Sequence, residues 1–385
     1  MKIFSILLIL VTGCAGFSLH PSHEWSFEKE PVTRVLRWHW NRPLLLNKER
    51  GYNPYEGGGI LAEPELGLVF VGTAAGRFYA IESGSGLMKW KFDTHEAINS
   101  TPVLSEDRKY VYFGDDSGKL YCLEAKTGKL VFTYSGGSEI RSKPVVFGRA
   151  VFFKDLRNQV HAVDGSKGKG LWVYKREPPE GYILESTASL AIWGKIIIAG
   201  FYDGFVTGID MFEGSEVWKS DLSEFAPGES STPSEKIDVN TTPIIVNDKV
   251  LVSSFKGGLY SIDPSDGSIL WRRSDLKKAS GLSALDDEIY VSITNRGIVK
   301  LSMDREGETV WESKFSCATV ANAVPYKNYV FVSDSKFGLV VLNRKTGQVL
   351  DKFTPMWGSS ATAEVKSGRV FIHSNGGSIY CFLVF

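Results

Sequence analysis

Short apolar runs recur along the chain at near-regular intervals, among them Leu68-Val69-Phe70-Val71, Tyr110-Val111-Tyr112-Phe113, Lys195-Ile196-Ile197-Ile198, Val250-Leu251-Val252 and Tyr329-Val330-Phe331-Val332. They are too short for globular helices and rich in β-branched and aromatic residues, so each predicts a buried strand. Before many of them lies a shorter segment such as Thr101-Pro102-Val103 or Thr242-Pro243-Ile244. After each comes a second alternating segment, typified by Gly76-Arg77-Phe78-Tyr79-Ala80-Ile81-Glu82, then Gly86 and Trp90. The pattern predicts a four-stranded meander. Its glycines supply the positive φ that tight hairpins demand.

The unit repeats. Starts fall at Gly76, Gly118, Asn158, Gly204 and Gly257, each 14 positions before an aromatic residue: Trp90, Phe132, Trp172, Trp218 and Trp271. Three degraded copies follow. One, from Arg296 through Gly307 to Trp311, carries an extra residue; another, from Phe337 to Gly347, has Asp351 in the aromatic position; the last begins at Gly377 and lacks a fourth strand. At the other end, Leu36-Arg37-Trp38-His39-Trp40 matches the fourth-strand pattern Met88-Lys89-Trp90-Lys91-Phe92 with nothing before it. The fold class expected is therefore all-β: an eight-bladed propeller of four-stranded antiparallel blades, closed by the N-terminal strand joining the C-terminal blade. A residue recurring once per blade serves something every blade needs, so Trp38, Trp90, Trp172, Trp218, Trp271 and Trp311 are expected to seal neighbouring blades, each covering about 150–250 Å². Asp351 interrupts that series, and the seventh blade is expected to be the least well sealed. Cys122 and Cys381 share one repeat position and read as small core residues; with Cys14 and Cys317 they form no CxxC or adjacent pair.

The chain of 385 residues balances 44 basic against 44 acidic side chains, which argues against nucleic acid as its main partner. Its six His are scattered, and neither zinc spacing, a P-loop nor a nucleophile elbow occurs. No catalytic, cofactor-binding or metal-binding residue is expected. The apolar stretch Ile3–Val11 is too short to span a bilayer and reads as the core of a secretory signal. Leu10-Val11-Thr12-Gly13-Cys14 resembles the bacterial lipobox, which implies cleavage before Cys14 and a diacylglyceryl group on its sulfur. The expected organisation is a signal peptide over 1–13, a lipidated tether over 14–31 and the propeller over 32–385. Ala15-Gly16 after the cysteine carries no acidic retention signal, so the periplasmic side of the outer membrane is the expected location.

The Tyr/Ala/Ile-Asp, Gly, Trp repeat resembles that of quinoprotein (PQQ-type) propellers, a likeness that specifies architecture better than activity. Two connectors between blades are long, one after Trp172 and one after Trp218; the second ends in Ile237-Asp238-Val239-Asn240-Thr241-Thr242-Pro243. Together with the lipobox, these features resemble the BamB family of outer-membrane β-barrel assembly lipoproteins. That resemblance implies a non-catalytic scaffold that binds the central barrel subunit of the machinery through connectors on one face. In the family two acids stand where this chain has Asp238 and Asn240, and the other contact segment corresponds to Tyr182-Ile183-Leu184, without the family's Arg. Two other readings share the fold: a propeller lipoprotein for another envelope partner, and a quinone-dependent dehydrogenase, many of which carry an adjacent Cys pair absent here.

Overall fold

The structure, a computed structural model, describes residues 35–45, 55–176, 187–222, 238–315 and 317–384. All regular structure among them is strand, arranged in eight four-stranded antiparallel sheets. Seven sheets are simple meanders; in blade one, Ile60–Glu63, Leu68–Gly72, Arg77–Glu82 and Met88–Asp93 follow one another. The eighth takes Glu364–Lys366, Arg369–Ser374 and Ser378–Val384 from the C-terminal end and Leu36–Pro43 from the N-terminal end. The two ends of the described chain thus lie in one sheet, and the Trp38 ring sits 5.9 Å from that of Tyr380. Closure pairs the last strand on both sides and removes an edge. The second and third strands of every blade are nearly all buried, because both faces pack against neighbouring blades; the fourth strands alternate toward solvent.

The seal between blades has one recurring geometry. The indole of one blade lies against the turn glycine of the next, and its Nε1 donates to the carbonyl just past the next blade's third strand. Trp90 reaches Ala125 O at 3.1 Å, Trp172 reaches Met211 O at 3.0 Å, Trp218 reaches Pro264 O at 2.8 Å and Trp311 reaches Arg344 O at 3.1 Å. Glycine is required at the turn for two reasons. Gly214 has φ +70°, and a Cβ there would stand 2.5 Å from the Trp172 ring. Trp271 departs from the pattern: the extra residue in the turn it faces displaces the acceptor, and its Nε1 is buried without a partner.

Two expectations are corrected. Trp40, not Trp38, holds the repeat position in the closing strand. A bulge between them places Trp40 opposite Cys381, and Trp40 Nε1 donates to Ser83 O at 3.1 Å while its ring covers Gly86. Trp40 is 8% exposed; Trp38 is 51% exposed, with edge contacts to Phe353, Tyr380 and Phe382. The second correction concerns Asp351. The blade it faces has no third-to-fourth turn, because its fourth strand comes from the other end of the chain. A tryptophan there would meet no turn glycine and no free carbonyl. Asp351 Oδ2 instead accepts from the backbone N–H groups of Val35 and Leu36 at 2.7 and 2.8 Å. The seventh blade is clasped to the incoming strand by its carboxylate.

Candidate functional site

In such a meander the connectors between blades and the turns between second and third strands share one face of the ring. The two long connectors leave neighbouring blades on that face, after Gly170–Lys175 and after Glu216–Asp221. Residues 177–186 and 223–237, with Tyr182, Ile183 and Leu184 among them, lie outside the described residues, as does Cys14. Their roots are well defined. Arg176, the first residue beyond the strand of blade three, places its guanidinium 4.3 Å from the Phe205 ring centroid and 5.6 Å from that of Phe201, and pairs with Asp203. Lys219 Nζ stands 5.6 Å from the Phe205 centroid. Leu222, where the second connector departs, is buried; its N–H donates to Gly204 O at 3.1 Å and its carbonyl accepts from Tyr260 Oη at 3.2 Å. A cation–aromatic cluster therefore holds the points from which both connectors rise. Sequence reasoning passed over it. The signal was Phe205, which follows the turn glycine where blades one to three have Arg77, Lys119 and Gln159.

The second connector returns through Asp238-Val239-Asn240. Val239 is buried, donates its N–H to Phe201 O at 3.0 Å, pairs with Ser254 across blade five and fills the space left by Gly200. Asp238 is 6% exposed; burial pushes its carboxyl above the usual carboxylate range, partly offset by Lys256. Asn240 Nδ2 donates to Ala279 O of blade six at 3.0 Å, and the residue lines the central channel. The structure thus brings Asp238 and Asn240 to one connector root, the first turned inward and the second bridging two blades. The channel, of about 1120 Å³, is lined by the first strands of all eight blades. No group of three or more His, Cys, Asp or Glu side chains among the described residues is placed to hold a metal ion.

Residues 105–313, more than half of the chain, match the family model described as outer membrane protein assembly factor BamB. The chain belongs to the BamB family. The BamB of Yersinia pestis is 24% identical over 242 residues, 62% of this chain and 60% of its own length; that of Kangiella koreensis is 27% identical over 212 residues, 54% of this chain and 53% of its own. The chain thus spans between half and two thirds of the length of these relatives. Among solved structures, BamB from Moraxella catarrhalis superposes with a TM-score of 0.76 at 20% identity, covering 91% of this chain and 100% of that one. A quinohemoprotein alcohol dehydrogenase from Pseudomonas putida HK5 superposes at 0.68 with 13% identity, covering 92% and 77%. At these identities the superpositions speak to the propeller alone. The BamB family carries the PQQ-like repeat, and the likeness to dehydrogenases is one of architecture.

Proposed function

We propose that this chain is a non-catalytic scaffold of the outer-membrane β-barrel assembly machinery, binding the central barrel subunit through the face that bears the two long connectors. Membership of the BamB family supports the pathway. The observation that carries the choice of face is the pair of long connectors rooted side by side in the cluster of Arg176, Phe205 and Lys219. In this reading a signal peptide over 1–13 is removed, Cys14 carries the lipid, and residues 14–31 tether the ring to the periplasmic side of the outer membrane. Two or three acyl chains suffice for stable attachment.

The mechanism is presentation. A closed ring with buried strands does not deform on binding, so it offers a pre-organised surface and spares the entropy of ordering. Tyr182, Ile183 and Leu184 supply the apolar anchors that a desolvated contact needs. Asn240 fixes the angle of the second connector by bridging to blade six. The Asp238 carboxyl, disfavoured as an anion by burial, gains from an arriving partner cation, which gives orientation more than affinity. The sequence has no adjacent Cys pair of the kind many quinoprotein dehydrogenases place over their cofactor.

Mild-detergent co-purification of the full-length lipoprotein tests the reading. The expected result is recovery of the assembly machinery's barrel subunit, weakened about 30-fold by Leu184→Ala, as for a hot spot worth about 2 kcal/mol, and lost with Asp238→Arg. Recovery of a different envelope protein by the wild type, with no barrel subunit, overturns it.

A further inference from the structure

The first strands of the blades place one register of side chains around the channel at mid-height. In each of several blades a hydroxyl bonds outward to the second strand: Ser100 Oγ to Gly114 O at 2.9 Å, Ser142 Oγ to Lys154 O at 2.7 Å, Thr241 Oγ1 to Ser253 O at 3.4 Å and Ser359 Oγ to His373 O at 2.8 Å. Strand alternation turns the next residue the opposite way, into the channel. The ring so formed comprises Thr101, Lys143, Ser189, Thr242, Asn322 and Ser360, all of them channel-lining. Five of the six are neutral groups able to donate and accept. Lys143 alone is charged.

The other ionisable groups lining the channel are occupied. Arg141, above Lys143, is bound through two nitrogens to Asp116, each at 3.1 Å. Glu106, at the far mouth, accepts from Gly148 N at 2.7 Å. The Tyr55 phenol at the near mouth is held in its neutral form by burial. Glu364 accepts from Ala62 N, and burial resists its ionisation despite the influence of Lys143. Among the described residues, the Lys143 ammonium has no ion pair or hydrogen bond and is exposed to the channel. A single unneutralised cation inside low-dielectric walls concentrates anions. The surrounding hydroxyls and amide match a ligand that is itself rich in hydroxyls, with one negative charge to meet the ammonium. The channel volume of about 1120 Å³ exceeds the roughly 300–1,000 Å³ of drug-sized pockets, leaving room for more than one sugar-sized unit.

We propose that the central channel is a binding site for a hydroxyl-rich carboxylate of the sugar-acid class, with Lys143 meeting the carboxylate and the ring of Thr101, Ser189, Thr242, Asn322 and Ser360 meeting the hydroxyls. The site is separate from the connector face. It leaves the partner contact free, so the two can be tested apart.

Isothermal titration calorimetry on the purified full chain in detergent, with trigalacturonate, maltotriose and inorganic phosphate as probes, decides the matter. Trigalacturonate is expected to bind saturably in the millimolar range or tighter, and maltotriose and phosphate each at least about tenfold more weakly. Lys143→Met is expected to reduce trigalacturonate binding to the maltotriose level, and Lys143→Arg to restore most of it, with melting temperature and co-purification of the barrel subunit unchanged in both. Absence of saturable trigalacturonate binding, equal binding of maltotriose, equal binding of phosphate (a bare anion site), or binding indifferent to Lys143→Met overturns the proposal. If either variant melts early, Thr242→Val tests the hydroxyl half of the site on its own: weaker trigalacturonate binding is expected, and unchanged binding refutes it.

Discussion

Asp351→Ala is the most informative perturbation of the fold. The carboxylate accepts two backbone N–H groups, from Val35 at 2.7 Å and Leu36 at 2.8 Å, where the N-terminal strand enters the ring. Hydrogen bonds to a charged group contribute about 1.5–3 kcal/mol each net. Asp351 and Leu36 are only partly buried, so water replaces part of what is lost and the expected cost is about 2–3 kcal/mol. Asp351→Asn keeps an acceptor but not the charge and should cost about 1 kcal/mol. Asp351→Trp restores the repeat consensus, yet it should also destabilise, because the facing blade has no turn glycine to receive an indole. Urea denaturation gives the stability, and hydrogen exchange at the Val35 and Leu36 amides gives the locus. Both amides should be protected in the wild type and lose protection first in the alanine variant. A change below about 0.5 kcal/mol in Asp351→Ala, or an Asp351→Trp variant more stable than wild type, would refute the clasp.

Three further outcomes follow from the same geometry. Trp40→Ala should cost about 3–5 kcal/mol and Trp38→Ala about 1 kcal/mol, since only the first leaves a cavity against a turn glycine; reversed magnitudes in urea melts would place the repeat register back at Trp38. Burial pushes the Glu56 carboxyl up to about 7 and the His373 imidazole down to about 4, with His373 Nδ1 donating to Gly58 O at 3.2 Å and Nε2 lying 3.8 Å from Glu56. From about pH 4.5 to 7 the folded state holds the Glu56 proton longer than the unfolded chain, so this group subtracts stability as pH rises. His373 acts oppositely between about pH 4 and 6.5, where the unfolded chain takes up the proton first. Glu56→Gln should therefore gain on the wild type with rising pH, by about 2–3 kcal/mol above pH 7, and a difference independent of pH would contradict that assignment. Arg176→Ala should lower the melting temperature by only a few degrees while weakening barrel-subunit binding more than tenfold; unchanged binding would show that the connector roots need no such support.

Much of the ring was legible because its signals are local and repeated. Glycine before the third strand, glycine after it and an aromatic residue at fixed distance recur often enough to count the blades, and a missing fourth strand at one end with a surplus one at the other implies closure. What escaped depends on what faces a residue across a blade boundary. The bulge between Trp38 and Trp40 slides the register, so either indole satisfies the sequence pattern. Asp351 looks like a failed tryptophan until the absent turn opposite it is known. Lys143 stands in Ser142-Lys143-Pro144 where other blades read Ser100-Thr101-Pro102 or Thr241-Thr242-Pro243, yet only the closed ring makes it the one charge among neutral side chains at mid-channel. At the candidate face, the sequence marked Asp238 as an acid in a long connector but could not show that Val239 beside it anchors the root and draws the carboxyl inward.

Site-specific photocrosslinking in the cell envelope addresses the functional claim most directly. A photoreactive residue at position 184 should capture the barrel subunit of the assembly machinery. The same residue at Phe212, 64% exposed on the turn between third and fourth strands and hence on the opposite face, should not. Capture from position 212 with none from 184 would contradict the account.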